Sequence, residues 1–248
     1  MSVSLTAAIT RTLSWFGFEA RKVRRPGKLS IPDAGFYTPL FSPWNDYGEF
    51  AEYRKLAQPY TLVSPDRLYV LLSLARNAVR LHGDFWECGV YKGGTARMLA
   101  EFLSRKAPPA VTLHLFDTFA GMPEADREVD VHRKGDFSDT SLAAVRQVVG
   151  NKERVEFHPG WIPESFSGLP ERPIALAHVD VDVYRSLWDC CEFIYPRLAV
   201  GGVMIFDDYG FPSCPGARKA VDEFFSGKPE TPIVLGTGQA LAIRLTGG

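Results

Sequence analysis

The sequence predicts an α/β domain built on a doubly wound, mostly parallel sheet with one antiparallel strand at its edge. Three observations carry this expectation. From residue 84 onward, short apolar runs alternate with segments of helical periodicity. The first run passes into a glycine-rich turn, Gly89-Val90-Tyr91-Lys92-Gly93-Gly94. The last two runs are separated only by Gly236-Thr237-Gly238, too short for a crossover, so they must form a hairpin.

Taken in order, residues 4–18 space Leu5, Ala8, Ile9, Leu13 and Phe16 as one helical face. Basic residues overlap and follow it: from Arg11 to Lys28, Arg11, Arg21, Lys22, Arg24, Arg25 and Lys28 stand against a single acid, Glu19. Such a helix either docks on protein or lies on an anionic membrane surface. From Pro26 to Trp44 the chain is rich in Pro, Gly and aromatics without periodicity and reads as an ordered arm or lid. Ser64-Pro65-Asp66 is a helix start, with Ser as N-cap and Pro at the first helical position. Strands are then expected near 84–88, 111–116, 154–158, 174–180, 202–206, 231–235 and 239–245. Helices are expected near 94–105, 139–149, 185–198 and 215–225. Residues 1–57 are thus read as an N-terminal helix and arm, and 58–248 as the main domain.

At 248 residues, with 46% apolar residues, the chain suffices for one large domain and its core. A net charge of −1 gives no general attraction to nucleic acid. The four cysteines, Cys88, Cys190, Cys191 and Cys214, form no C-x-x-C pair, which argues against a disulfide framework or a zinc site and for a reducing, cytoplasmic setting. No run of 18 apolar residues and no signal peptide are present.

The glycine turn allows close approach of backbone to a ligand, and the helix after it offers free N–H groups. Its spacing is neither that of the dinucleotide fingerprint nor that of a phosphate P-loop. Asp117, ending the second strand, stands where Rossmann-type sheets place the acid that binds ribose hydroxyls. Phe137 or Trp161 can pack on a purine or belong to the core. A nucleoside site without a phosphate motif points to S-adenosylmethionine, whose amino-acid end suits a carboxylate such as Glu87.

At the other end, the strand through Ile174 runs into His178-Val179-Asp180-Val181-Asp182-Val183-Tyr184, and the next strand ends in Asp207-Asp208. Parallel strands bind ligands at their carboxyl ends. Four carboxylates gathered there repel one another unless a hard cation, Mg²⁺ or else Mn²⁺ or Ca²⁺, offsets the charge. Single aspartates at such places also cap turns and helices. The D-x-D-x-V pattern occurs too in haloacid dehalogenase-like phosphotransferases, but those carry it near the start of the domain and leave the glycine loop without a role.

Together these residues resemble the macrocin O-methyltransferase family of S-adenosylmethionine- and metal-dependent enzymes. The motifs are Tyr60-Thr61-Leu62-Val63-Ser64, Glu87-Cys88-Gly89-Val90 with Gly93-Gly94-Thr95, Phe116-Asp117-Thr118 through Pro123, the Asp180 segment, and Phe206-Asp207-Asp208-Tyr209-Gly210 with Pro215 through Asp222. The resemblance implies a Rossmann-like class I methyltransferase that acts on sugar hydroxyls of natural products or polysaccharides. It implies that Asp180, Asp207 and Asp208 hold Mg²⁺ and that Asp182 is the general base. Thr61, Val63 and Ser64 are implied to close over the cofactor, with Glu87, Asp117, Asp136 and Phe137 around it. Cys88, Gly89, Gly93, Thr95, Thr118, Trp161 and Asp180 complete the expected cofactor contacts. The family often has Gly where this chain has Val181. Tyr184, Tyr209 and Phe211 are expected to stack on an acceptor ring. N-terminal segments of the family help form lids and dimer contacts, so a homodimer is expected. A catechol-like diol presents the same chelating geometry as a vicinal sugar diol. A non-catalytic, membrane-surface accessory protein that keeps the cofactor fold is the reading from another class.

Overall fold

The computed structural model describes residues 42–246 except Asn151; the expected N-terminal helix, the basic run and most of the arm lie outside the described residues. The first helix among the described residues, α1 (Phe50–Ala57), is an element that the sequence reading does not foresee. It places Phe50, Tyr53 and Ala57 on one buried face. Tyr53 meets Phe102 edge-on at 6.1 Å, and Phe50 meets Tyr69 at 5.2 Å. The compact unit therefore reaches back to Ser42, before the boundary expected at residue 58.

Helix α2 (Pro65–Ala78) starts as the sequence indicates: Ser64 is extended and Pro65 opens the first turn. Strand β1 (Asp84–Cys88) is buried along its whole length, as a central parallel strand must be. Then follow α3 (Gly94–Lys106), β2 (Leu113–Asp117), α4 (Leu142–Val149), β3 (Val155–Pro159), β4 (Ile174–Val179), α5 (Tyr184–Ile194), β5 (Leu198–Phe206), α6 (Pro215–Phe225), β6 (Ile233–Val234) and β7 (Ala240–Ile243). Helix α4 begins later than its periodicity suggests because Ser141 caps it, its Oγ accepting from the Ala144 N–H at 3.2 Å. Helix α5 stops at Ile194, where Pro196 forces a short 3₁₀ turn (Tyr195–Arg197).

The sheet order is β3-β2-β1-β4-β5-β7-β6. The first five strands are parallel, and β7 runs antiparallel to β5. The expected hairpin exists, but its second strand, β7, lies inside and the two-residue β6 forms the rim. The reason is burial: Ala240, Leu241 and Ala242 are enclosed, whereas Ile233 and Val234 are exposed. The order reverses between β1 and β4, so the carboxyl ends of these two strands form a crevice.

Asp84 anchors the opposite end of β1. It is buried and accepts from the Thr112 N–H at 2.9 Å and from Arg172 Nη2 at 3.1 Å. Burial alone raises its carboxyl pKa, but hydrogen bonds from His114, Arg172 and Thr112 outweigh this and bring it down to about 2 from the ordinary 3.8. A depressed carboxyl stabilises the fold above its unfolded pKa and loses that contribution as pH falls through the folded one. Asp84→Asn is expected to cost on the order of 2 kcal/mol at pH 7, measured by urea unfolding. The difference from wild type should shrink between pH 4 and 2; a gap that persists at the lowest pH would assign the loss to packing instead.

Candidate active site

A cavity of about 280 Å³ opens at the crevice between β1 and β4. Thr61, Val63, Gly89, Thr95, Asp117, Thr118, Phe137, Trp161, Asp180, Asp182, Asp208 and Phe211 line it, all foreseen as site residues. The structure thus brings the glycine turn, the acid ending β2, Asp180 and Asp182 after β4 and Asp208 after β5 to one space. Phe137 and Trp161 both face the cavity rather than the core, and Trp161 is 47% exposed.

The glycine turn is held from below by Asp117. Its Oδ2 accepts from the N–H groups of Val90 and Tyr91 at 2.7 and 2.9 Å, and its Oδ1 from that of Phe119 at 2.7 Å. Asp117 is thus first a clamp between β2 and the turn; the Thr118 hydroxyl lies 3.5 Å from Oδ1 but bonds the Gly121 carbonyl at 2.7 Å, so lone-pair capacity is left chiefly on Oδ1. Gly89 must be glycine: its φ is +85°, and a Cβ there would lie 1.8 Å from the Asp180 carbonyl oxygen. Gly89→Ala is expected to destabilise the fold by more than about 2 kcal/mol, through both left-handed strain and the clash with the Asp180 segment. Chemical denaturation reads this; a loss below half that amount would mean the segment shifts freely.

Strand β4 ends at Val179, so Asp180 and Asp182 stand on the turn beyond it. Asp182 itself adopts the left-handed conformation, φ 58°, while Val181 does not, so the valine is accommodated. Asp208 Oδ2 accepts the Asp182 N–H at 3.0 Å and fixes this conformation. Among the described residues, five non-glycine residues have positive φ, and three of these (Tyr91, Phe137 and Asp182) line the cavity. Strained backbone concentrates where the surroundings impose a functional geometry.

Electrostatically the acids divide into two kinds. Burial, then the charge of Asp207, raise the Asp180 carboxyl well above its ordinary value. Asp208 is raised in the same direction by burial and by Asp180, Asp182 and Asp207. Asp207 behaves oppositely. Its Oδ1 accepts from Gln239 Nε2 at 2.7 Å and lies 3.4 Å from His178 Nε2, and its Oδ2 is ion-paired with Arg67. Burial pushes its carboxyl up, but His178, Arg67 and Gln239 outweigh that and leave it lowered. His178 bridges Asp207 to Glu87, whose Oε1 lies 3.1 Å from its Nδ1. Burial disfavours the imidazolium, yet the two carboxylates hold its pKa well above the usual histidine value. His178 is therefore placed as a buried counter-charge to Glu87 and Asp207.

Several foreseen residues do not line the cavity, among them Glu87 and Asp207, which are fully buried beneath it. Cys88 is buried at the end of β1, Gly93 is the N-cap of α3 and faces Val145, and Ser64 bonds with Asp66 and Arg67 at the start of α2. Asp136 turns to His132 at 3.2 Å and to the Arg133 N–H at 2.9 Å. The Tyr184 hydroxyl donates to Glu223 at 2.8 Å and that of Tyr209 to Asp222 at 2.9 Å, both on α6. Conversely, no local pattern singles out Arg67, His132, Cys214 or Gln239. His132 Nε2 lies 3.6 Å and Cys214 Sγ 3.4 Å from Asp182 Oδ1.

Residues 53–232 match the family described as Macrocin-O-methyltransferase (TylF). The chain belongs to this family. The macrocin O-methyltransferase membership agrees with the motifs that first suggested it, and it makes the chain a methyltransferase with the Rossmann-like class I fold. It is similar to demethyldecarbamoylnovobiocin O-methyltransferase of Streptomyces niveus, 30% identical over 181 residues that cover 68% of each chain. It is similar also to mycinamicin III 3''-O-methyltransferase of Micromonospora griseorubida, 31% identical over 180 residues, 66% of this chain and 70% of that one. The solved structure of the O-methyltransferase NovP superposes with a TM-score of 0.69 at 27% identity, covering 75% of this chain and 83% of that one.

Proposed function

We propose that the protein transfers a methyl group from S-adenosylmethionine to a hydroxyl of a sugar, carried on a natural product or a polysaccharide, with Mg²⁺ held by Asp180, Asp207 and Asp208. One observation carries this reading: Asp182, a partly enclosed carboxylate held in a fixed strained conformation, shares a single cavity with the glycine turn. The two curated relatives described above are named as O-methyltransferases of demethyldecarbamoylnovobiocin and of the 3'' position of mycinamicin III, which supports a natural-product acceptor.

Both absent groups fit the residues present, the cation taking the place of the Arg67 guanidinium at Asp207 Oδ2. The buried Glu87 Oε2 has no partner among the described residues, an acceptor suited to the ammonium of an amino acid. Asp117 Oδ1 retains capacity for a ribose hydroxyl, and Phe137 and Trp161 offer aromatic faces to a purine. Asp180 and Asp208 are carboxylates whose ionisation is resisted by burial and by one another, the condition that a hard cation relieves. When bound, the metal supplies Lewis acidity toward the acceptor hydroxyl and S-adenosylmethionine supplies the electrophilic methyl.

The chain's own residues do the rest. Asp182 accepts the hydroxyl proton at a carboxylate oxygen. Asp208, by holding the Asp182 N–H, orients that carboxylate. His132 and Cys214 partly offset the rise that burial imposes on its pKa. Thr61, Leu62 and Val63 form one wall and limit water, and Phe211 offers a face to the acceptor ring.

The test is incubation with S-adenosylmethionine, Mg²⁺ and a panel of nucleotide sugars, glycosides and catechols, with mass spectrometry of the products. Methylated sugar is the expected outcome. Methylation of catechols alone overturns the sugar acceptor, and failure to bind S-adenosylmethionine in calorimetry overturns the enzyme reading in favour of an accessory protein.

A further inference from the structure

Strands β2 and β3 bring together a second polar group that the methyl-transfer reading does not use. In their parallel register His114 lies opposite Glu156, and Phe116 opposite His158. His114 Nδ1 is 3.0 Å from His158 Nε2 and 3.5 Å from Glu156 Oε2, and the last two atoms are 3.9 Å apart. A point equidistant from these three atoms is about 2.0 Å from each, the length of a Zn–N or Zn–O bond. None of the three residues lines the cavity at β1 and β4.

We propose that His114, Glu156 and His158 form a separate divalent-metal site, one for a borderline transition ion such as Zn²⁺ rather than for Mg²⁺. Two imidazole nitrogens with one carboxylate are the donors such ions favour, whereas Mg²⁺ prefers oxygen alone. The surroundings are built for ligation. Behind His114, its Nε2 lies 3.5 Å from Asp84 Oδ2. A carboxylate there keeps the proton on Nε2 and leaves Nδ1 free, the arrangement that orients metal-bound histidines. Asp84 is itself fixed by Thr112 and Arg172. His158 stacks on Phe116 at 4.6 Å and 16°, which sets its ring plane. Burial and the neighbouring His114 lower the His158 pKa, keeping its imidazole in the neutral form that binds metal. Glu156 is 58% exposed and gives the ion a route in from solvent, with water to complete a tetrahedron. The ion would pin the sheet's terminal strand β3 to β2. Its effect is on stability rather than on methyl transfer.

Co²⁺ titration with excess Mg²⁺ present tests this, followed by visible absorption and by thermal melting. Wild type is compared with a Glu156→Gln/His158→Ala variant. The expected result is one more equivalent of Co²⁺ in wild type, with tetrahedral d–d bands and a rise in Tm of several degrees, both absent from the variant. Any binding at His132, Asp182 and Cys214, which also cluster, occurs in both proteins and cancels. Should the double variant fail to fold, Glu156→Gln alone changes only a solvent-facing side chain and is expected to weaken Co²⁺ binding by at least about tenfold. Equal stoichiometry and equal melting shifts in wild type and variant overturn the proposal, as does the absence of Co²⁺ and Zn²⁺ binding at micromolar concentrations. Methyl transfer does not enter these readouts, so the outcome is independent of the proposed activity.

Discussion

Asp182→Asn is expected to lower kcat by about 10² to 10⁴-fold, the range for loss of a general base, while S-adenosylmethionine still binds. The substitution isolates the proton-accepting step. Asparagine has nearly the same shape, tolerates the left-handed conformation that Asp182 adopts, and keeps the N–H that Asp208 accepts. What it loses is basicity. Burial raises the Asp182 carboxyl, with Asp207 adding to the rise and His132 and Cys214 opposing it. A raised pKa makes the group a stronger acceptor, but it must be ionised to act. The wild-type rate should therefore fall on the acid side, through a pKa above 3.8, the ordinary aspartate value. That acid limb should vanish in the variant's residual activity. Calorimetry with the cofactor separates a lost base from a collapsed site. A variant whose kcat stays within threefold of wild type would falsify the assignment of Asp182 as base.

Strand β1 and helix α6 were legible to the residue, for local reasons. The apolar run of β1 is bounded by Gly83 and Gly89, and α6 opens with Pro215 at its first turn. Helix α1 has a buried face in the spacing Phe50, Tyr53, Ala57, but its eight residues follow an aperiodic stretch, and its partner α3 lies far along the chain. Which hairpin strand would take the rim was settled by burial, a tertiary property.

The acid group was legible because strand ends converge by topology: reading β4 and β5 as adjacent parallel strands already places Asp180 near Asp207 and Asp208. His132, Cys214 and Arg67 carry no such signal. His132 sits in an aperiodic loop. Arg67 meets Asp207 across 140 positions, and Cys214 meets Asp182 across 32. Side-chain reach between loops and helix starts follows from the packed fold, not from any local pattern. The left-handed turn at Asp182 is similar: the sequence directs attention to Val181, whereas the hydrogen bond to Asp208 places the strain one residue later.

Removal of divalent metal by EDTA is expected to abolish turnover, and Mg²⁺ to restore it; full activity in metal-free protein would sink this part of the reading. The Asp208→Asn variant makes the more discriminating case, because stability and function should move in opposite directions. Asp208 is 5% exposed, and its carboxyl is raised by burial and by three neighbouring aspartates. A carboxyl whose folded pKa exceeds its unfolded one destabilises the protein by an amount that grows as pH rises through that interval. Without metal, Asp208→Asn removes the repulsion while the amide oxygen can still accept the Asp182 N–H, so Tm at pH 7 should rise. The same change deletes a negative donor, so the Mg²⁺ concentration for half-maximal activity should increase by at least about tenfold. Asp207→Asn should behave otherwise. Asp207 is already engaged by His178, Gln239 and Arg67, and its loss leaves buried positive charge without its partner. Its unfolding free energy should fall by the several kcal/mol that breaking a buried pair costs, and its Tm should drop accordingly. Opposite Tm changes in the two variants, with a raised Mg²⁺ requirement in both, would separate the carboxylate that waits for a cation from the one that the fold itself already neutralises. Parallel losses of Tm would instead make all these acids part of a single structural network.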